Sequence, residues 1–348
     1  MSKASKRNLC IFSVIFYIAA IVLMIIGSKN DLAIDMALFN PQNKFSITLE
    51  AFGQFVYWGM WGPLATILFL TRHDLNECLD IIARVFPFVS TVKNTDSKAY
   101  KFFNFVVKFL STVGFFALAV IGWKKLIENV LNKFFDLSQA VYFIICAVVA
   151  VLAILICSKI DKKILNKLEG LALAGVVLGI CYKITEECKT ITHRIRFREM
   201  VAASNGFFDA EDGLSFGKLD GLTTRLQSSM SEKTDFGAFT PWYQKGNDMG
   251  IYSHADSFPS GHTTYSCTLM LSYLFFSAFE KLKKLAPFAL IVSLIFTVLM
   301  AYSRLVAGAH YLTDVVGGAI IGYTLFLIVT VLYNTFYNKG ILPTRKDV

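Results

Sequence analysis

The sequence predicts an all-α protein, a polytopic membrane helix bundle of about eight transmembrane helices. Three observations predict it. Of 348 residues, 55% are hydrophobic and only 17% charged, with a mean hydropathy of +0.54, whereas soluble domains are about 45–50% apolar and about 25% charged. Uncharged apolar runs recur at the length of about 20 residues that crosses a bilayer. Basic residues collect in alternate loops, as the positive-inside rule requires.

The spans follow in order. Residues 9–28 carry no charge and continue too long, without a clean cleavage site, for a signal peptide. Residues 51–71 qualify, and 102–123 qualify with Lys108 near enough to an end to snorkel. Residues 137–158, 263–279, 285–303 and 315–338 are uncharged. Residues 170–182 form a short run thinned by Gly170, Gly175 and Gly179. Small residues suit packing among other helices, and the loop charges require a span there. With the N-terminus inside, Lys3, Lys6 and Arg7, the basics of 72–101, Lys159–Lys167, Lys281–Lys284 and the C-terminal basics share the cytoplasmic side. Only Lys29, Lys44, Lys124, Lys125 and Lys133 lie in the short outer loops. The chain then divides into five N-terminal spans over 1–182, an outer loop over 183–262, and C-terminal spans over 263–348. A short interfacial helix is expected near residues 79–88, and the polar, Gly-containing stretch 199–257 reads as a lid over the outer face.

Composition also excludes several classes. The net charge of +9 comes without a recognition motif or basic stripe, which argues against nucleic-acid binding. Seven cysteines match no disulfide framework or metal-ligand spacing, the pair Cys181 and Cys188 included. The acidic residues Asp209, Glu211, Asp212 and Asp220 match no calcium loop. No metal and no cofactor is expected.

Three polar clusters carry the chemistry. They are Lys189–Arg198 (KTITHRIRFR), Ser257–Thr264 (SFPSGHTT) and Ser303–Asp314 (SRLVAGAHYLTD). The topology puts the outer loop and the 304–314 turn on one membrane face. In the second cluster a Pro-Ser-Gly turn precedes an apolar helix, whose unpaired first N–H groups and dipole suit an anion. Gly261 permits close approach of backbone to a phosphate, and His262 can donate a proton to a leaving oxygen. In the third cluster His310 and Asp314 are four apart and share a helix face. A carboxylate beside one imidazole nitrogen would fix the tautomer and free the other to attack. Arg304 can hold a phosphate by two parallel hydrogen bonds, and Lys189, Arg196 and Arg198 add positive charge. A nucleophile, an acid for the leaving group and charge for the equatorial oxygens are what phosphoryl transfer needs.

These clusters resemble the three signature motifs of the type 2 phosphatidic acid phosphatase (PAP2) superfamily: K-x6-R-P, P-S-G-H and S-R-x5-H-x3-D. Lys189 and Arg196 keep the first spacing, Pro259 to His262 match the second, and Ser303, Arg304, His310 and Asp314 complete the third. The resemblance implies a PAP2/haloperoxidase-like helical core. It implies a metal-independent hydrolase of a lipid phosphate or polyprenyl pyrophosphate, in a bacterial plasma membrane with an extracytoplasmic site. It further implies a phosphohistidine on His310, oriented by Asp314, with His262 as acid and then base. Lys189, Arg196, Ser260, Gly261 and Arg304 would bind the phosphate. Two departures stand out: Phe197 replaces the motif's proline, and the spacer 197–258 is longer than usual. The competing readings are a phosphotransferase of the same superfamily, a vanadate haloperoxidase (opposed by the spans), and a non-catalytic transporter or lipid-binding protein. Around the motifs, His193, His254 and His73 read as solvated or structural histidines. Trp242 and Tyr243 read equally as a lipid portal or as interface anchors.

Overall fold

The computed structural model describes residues 3–71, 79, 97–131, 137–204, 236–237, 239–246 and 256–338. Residues 80–88 of the expected interfacial helix, His73, His254, the four loop acids and most of the expected lid lie outside the described residues. Among the described residues the regular structure is entirely helical, without strands.

The helices are α1 (Lys3–Leu38), α2 (Lys44–Phe52), α3 (Phe55–Leu70), α4 (Lys98–Leu131), α5 (Gln139–Cys157) and α6 (Lys162–Cys181). They continue as α7 (Lys183–Thr192), α8 (Phe197–Ser204), α9 (Gly261–Ser266), α10 (Leu271–Ala278), α11 (Ala286–Val306) and α12 (Leu312–Asn338). Among the described residues, six helical runs are long and apolar enough to cross a membrane. One is the weak segment 170–182, which extends at both ends into a run from Lys162 to Thr192.

The two remaining expected spans are assembled from shorter helices. Residues 51–71 are interrupted after Phe52, where α2 gives way to α3. A Cβ at Gly53 would lie 1.8 Å from the Met300 side chain, so glycine is what permits this approach. Residues 263–279 pass through a 3-10 turn at Cys267–Met270 between α9 and α10.

Polarity is inverted relative to a soluble protein. Ile15 is 59% and Ile156 68% exposed, whereas Arg194 and Asp314 are 0% exposed. Apolar side chains facing outward from helices suit hydrocarbon, where only internally hydrogen-bonded backbone is tolerated. The chain is an integral membrane protein by this pattern.

The chain divides into two units. One comprises Trp58–Val177 and Ile328–Val348. There α4 packs on α5, and Ala65, Ala119 and Ala150 form a tight core with Trp123 against it. A Cβ at Gly62 would meet the Trp123 ring at 2.5 Å, the close approach that small residues permit between membrane helices.

The other unit, Met1–Tyr57 with Leu178–Leu327, holds all three motifs. Here α1 runs along the first part of α12. Ser13 and Tyr323 share a hydrogen bond of 3.0 Å, and Tyr17 and Thr324 one of 2.8 Å. Farther along, a Cβ at Gly27 would stand 2.8 Å from the Thr313 methyl. This contact brings the end of α1, with its buried Asp31 and Asp35, beside the third motif. At α11, the Ser46 hydroxyl of α2 donates to the Ser303 carbonyl.

Candidate active site

The second motif forms a turn into α9. Ser260 caps that helix: its hydroxyl accepts from the Thr263 hydroxyl at 3.1 Å and from the Thr263 N–H at 3.4 Å. Its own N–H donates to the Asp314 carbonyl at 2.9 Å, joining the second motif to the third. Gly261 lies beside Lys189, whose Nζ would stand 3.4 Å from a Cβ there, an ordinary contact distance, so the first motif meets the second.

In the third motif, Arg304 lies in the last turn of α11 and Gly308 (φ +60°) turns the chain toward α12. That left-handed conformation favours glycine, and a Cβ there would also meet Phe39 at 2.8 Å. The Gly308 carbonyl accepts from the Arg198 N–H at 2.9 Å, tying the first motif to the turn. His310 follows, 4% exposed.

His310 Nδ1 lies 2.6 Å from the Ser257 carbonyl oxygen. A carbonyl only accepts, so Nδ1 carries the proton and Nε2 keeps its lone pair. Burial, reinforced by the positive charges of Arg196 and Lys189 and by His262 and Arg304, holds this imidazole well below the usual histidine value. It is therefore neutral. His262 Nδ1 is 3.2 Å from the Gln54 amide nitrogen. Burial and the Arg304 charge push its value down to about 3.

Asp314 stands 3.9 Å from His310 Nδ1, beyond hydrogen-bond reach. Its Oδ2 instead accepts from the Ser257 hydroxyl at 2.5 Å and the Tyr311 N–H at 2.9 Å. The carboxylate expected directly on the imidazole thus meets it through Ser257, because the Ser257 carbonyl occupies the Nδ1 position.

Each cation expected to bind phosphate has an internal carboxylate. Lys189 pairs with Glu186 at 3.3 Å, Arg196 with Asp256 at 2.5 Å, and Arg304 with Glu50 at 2.9 Å. Glu50 also accepts from Arg198 at 3.1 Å. The partners differ in exposure: Glu186 and Asp256 side chains are 50% and 38% exposed, Glu50 only 9%. Exposed pairs are weak, so an incoming phosphate can replace Glu186 and Asp256, while Glu50 stays as the counter-ion of Arg304.

Phe197 is the first residue of α8, a position where proline is common because its missing N–H costs nothing. The ring is 0% exposed and packs 5.3 Å from Phe39 and 5.8 Å from Phe236. Ring packing anchors the turn in place of a fixed φ. His193 caps α7 in the left-handed conformation (φ 46°). Trp242 stacks on Phe258 at 5.6 Å and donates to Ser28 at 2.8 Å, whereas Tyr243 is exposed.

Asp31, Glu50, Gln54 and Arg194 carry no role in the motif reading. The available signal was faint: Asp31 and Asp35 are four apart just beyond an apolar run, and Arg194 sits between two motif cations. Acidic residues at a span's end read equally well as solvated.

Residues 222–338 match the family model of the PAP2 superfamily. That region contains the second and third motifs and begins beyond the first. Phosphatidylglycerophosphatase B of Bacillus subtilis (strain 168) is 31% identical over 81 residues, which are 23% of this chain and 40% of that protein. The alignment thus spans less than half of that relative's length. No solved structure matches the chain. The second and third motifs, joined through Ser260 and Asp314, both lie inside the region that matches the PAP2 superfamily, residues 222–338.

Proposed function

We propose that this protein is a membrane phosphatase that hydrolyses a lipid phosphate or lipid pyrophosphate through a phosphohistidine on His310, without a metal. The observation that carries the reading is the 2.6 Å contact between His310 Nδ1 and the Ser257 carbonyl. It leaves Nε2 as a buried, unprotonated nucleophile among Lys189, Arg196 and Arg304.

In the first step Nε2 attacks phosphorus and the bond to the lipid oxygen breaks. His262, protonated once the anion is bound, gives its proton to that oxygen. In the second step His262 takes a proton from water. The water oxygen attacks phosphorus, the P–N bond breaks, and inorganic phosphate leaves with His310 restored. Lys189, Arg196 and Arg304 hold the equatorial oxygens, where charge grows in the transition state. The charge pattern of the loops supports a site opening on the extracytoplasmic face. The Bacillus relative supports a bacterial plasma membrane and puts phosphatidylglycerol phosphate first among substrates to test, beside phosphatidic acid and polyprenyl pyrophosphate.

The test is phosphate release from these three lipids by the purified full chain in detergent with EDTA. Release that persists in EDTA and disappears in His310→Ala supports the reading. Release abolished by EDTA, or unchanged in His310→Ala, overturns it. A phosphorylated acceptor lipid in place of free phosphate would mark the enzyme as a phosphotransferase.

A further inference from the structure

A buried ion network outside the motif residues reaches the nucleophile. Arg194 is 0% exposed. Its Nε donates to the Thr240 carbonyl at 2.7 Å, Nη1 to Asp314 Oδ1 at 2.5 Å and Thr313 at 2.8 Å, and Nη2 to Asp31 Oδ2 at 2.9 Å. The Tyr311 ring lies 4.0 Å and the Phe239 ring 5.4 Å from its guanidinium carbon. All three nitrogens are engaged and two aromatic rings lie against the guanidinium, so Arg194 is no phosphate ligand, unlike Arg196 two residues on. Asp31, from α1, also accepts from the Thr313 N–H at 3.0 Å and from the Thr313 hydroxyl. It thereby holds the first turn of α12, where an anion is favoured.

The network closes on Ser257. The Arg194 carbonyl accepts from the Ser257 N–H at 2.8 Å, while Asp314, gripped by the Arg194 side chain, accepts the Ser257 hydroxyl. Ser257 is thus held at both its N–H and its hydroxyl, and its third polar group, the carbonyl, pins His310 Nδ1.

We propose that Arg194 and Asp31 are positioning residues: clamped by the α1 carboxylate, Arg194 locks Asp314 and Ser257 so that the Ser257 carbonyl fixes the tautomer and aim of the His310 imidazole. The catalytic role of that imidazole rests on the function proposed above, but the tautomer does not. By this arrangement the N-terminal helix, which lies outside the family match, completes the site.

The experiment compares the full-length wild type with Arg194→Lys, Asp31→Asn and Ser257→Ala on phosphatidylglycerol phosphate. Tungstate, a tetrahedral dianion, probes the anion site. Arg194→Lys keeps the buried charge, and Ser257→Ala leaves every ion pair intact, so the variants do not share one route to misfolding. Losing one charge-assisted hydrogen bond corresponds to roughly a 10- to 100-fold fall in kcat. The expected result is that fall, with KM and tungstate affinity within about threefold of wild type because the phosphate ligands are untouched. The 15N shifts of His310 should show a single Nδ1–H tautomer in wild type and a tautomer mixture in Ser257→Ala and Arg194→Lys. Folded variants with wild-type kcat, or kcat and tungstate affinity lost together, overturn the proposal. A wild type that releases no phosphate from any lipid overturns the functional reading instead. The His310 tautomer then decides the positioning role by itself, an unchanged tautomer in all three variants overturning it.

Discussion

Nδ1 of His310 is 2.6 Å from the carbonyl of Ser257 and 3.9 Å from the carboxylate of Asp314. The carboxylate and the imidazole communicate through a serine whose hydroxyl faces one and whose carbonyl faces the other. This arrangement divides the roles that a direct carboxylate–imidazole contact would combine. The carbonyl sets the tautomer, and the carboxylate holds the carbonyl.

Asp314→Asn is accordingly milder than His310→Ala. Asparagine keeps an oxygen for the Ser257 hydroxyl but loses charge toward Arg194. One charged hydrogen bond of about 1.5–3 kcal/mol is lost, so kcat should fall by roughly 10- to 100-fold. His310→Ala removes the proposed nucleophile and should leave no measurable turnover. Steady-state kinetics on phosphatidylglycerol phosphate separates the two, and equal, complete losses would contradict the indirect role of Asp314.

Glu186→Gln should tighten anion binding. Glu186 holds Lys189 at 3.3 Å and is half exposed, so the phosphate must displace it. An exposed pair is worth about 0–1 kcal/mol, and its removal should lower the tungstate dissociation constant by up to about fivefold. Calorimetry at low salt gives the answer. Weaker binding in this variant would show Glu186 to be a structural brace for Lys189.

Anion binding should take up a proton at His262. Burial and the Arg304 charge hold this imidazole at about 3, so it is neutral at pH 7.5. A bound dianion offsets those cations and raises the value, so protonation accompanies binding. Tungstate is fully ionised at pH 7.5 and contributes no proton of its own. The apparent binding enthalpy should therefore vary with the ionisation enthalpy of the buffer, and this dependence should vanish in His262→Gln. Equal enthalpies in all buffers for the wild type would mean that the acid is not charged by the anion.

Glu199 makes stability fall with pH. Burial pushes its carboxyl up from 4.5 to about 7, against the lowering pull of Arg196 and Arg198. Between those values the folded form keeps a proton that the unfolded form releases. Stability therefore declines as pH rises from about 4.5 to 7, and the loss is complete above 7. Glu199→Gln removes the titration and should recover on the order of 3 kcal/mol at pH 8 and nothing near pH 4. Thermal unfolding in detergent at both pH values measures this, and an equal gain at both would rule out titration as the cause.

Much of the architecture was legible because hydrocarbon imposes a length and a composition that can be read residue by residue. The uncharged runs at 9–28 and 315–338 lie within helices, and those at 137–158 and 285–303 do so except at their ends. The motif spacing likewise named His262, His310, Arg304 and Lys189. The close approach of Gly53 to Met300 at the break after Phe52 was not legible, because Met300 is distant in the chain.

By itself the sequence determined the helical membrane class, the eight apolar segments and the residue types gathered for phosphate chemistry, since these follow from local composition and fixed spacing. Tertiary structure alone decided which groups touch. It placed Ser257 rather than Asp314 on the imidazole, and it brought Asp31 of the first helix to Arg194 across 163 positions. Such pairings have no local signature, because a buried charge finds its counter-ion wherever packing delivers one.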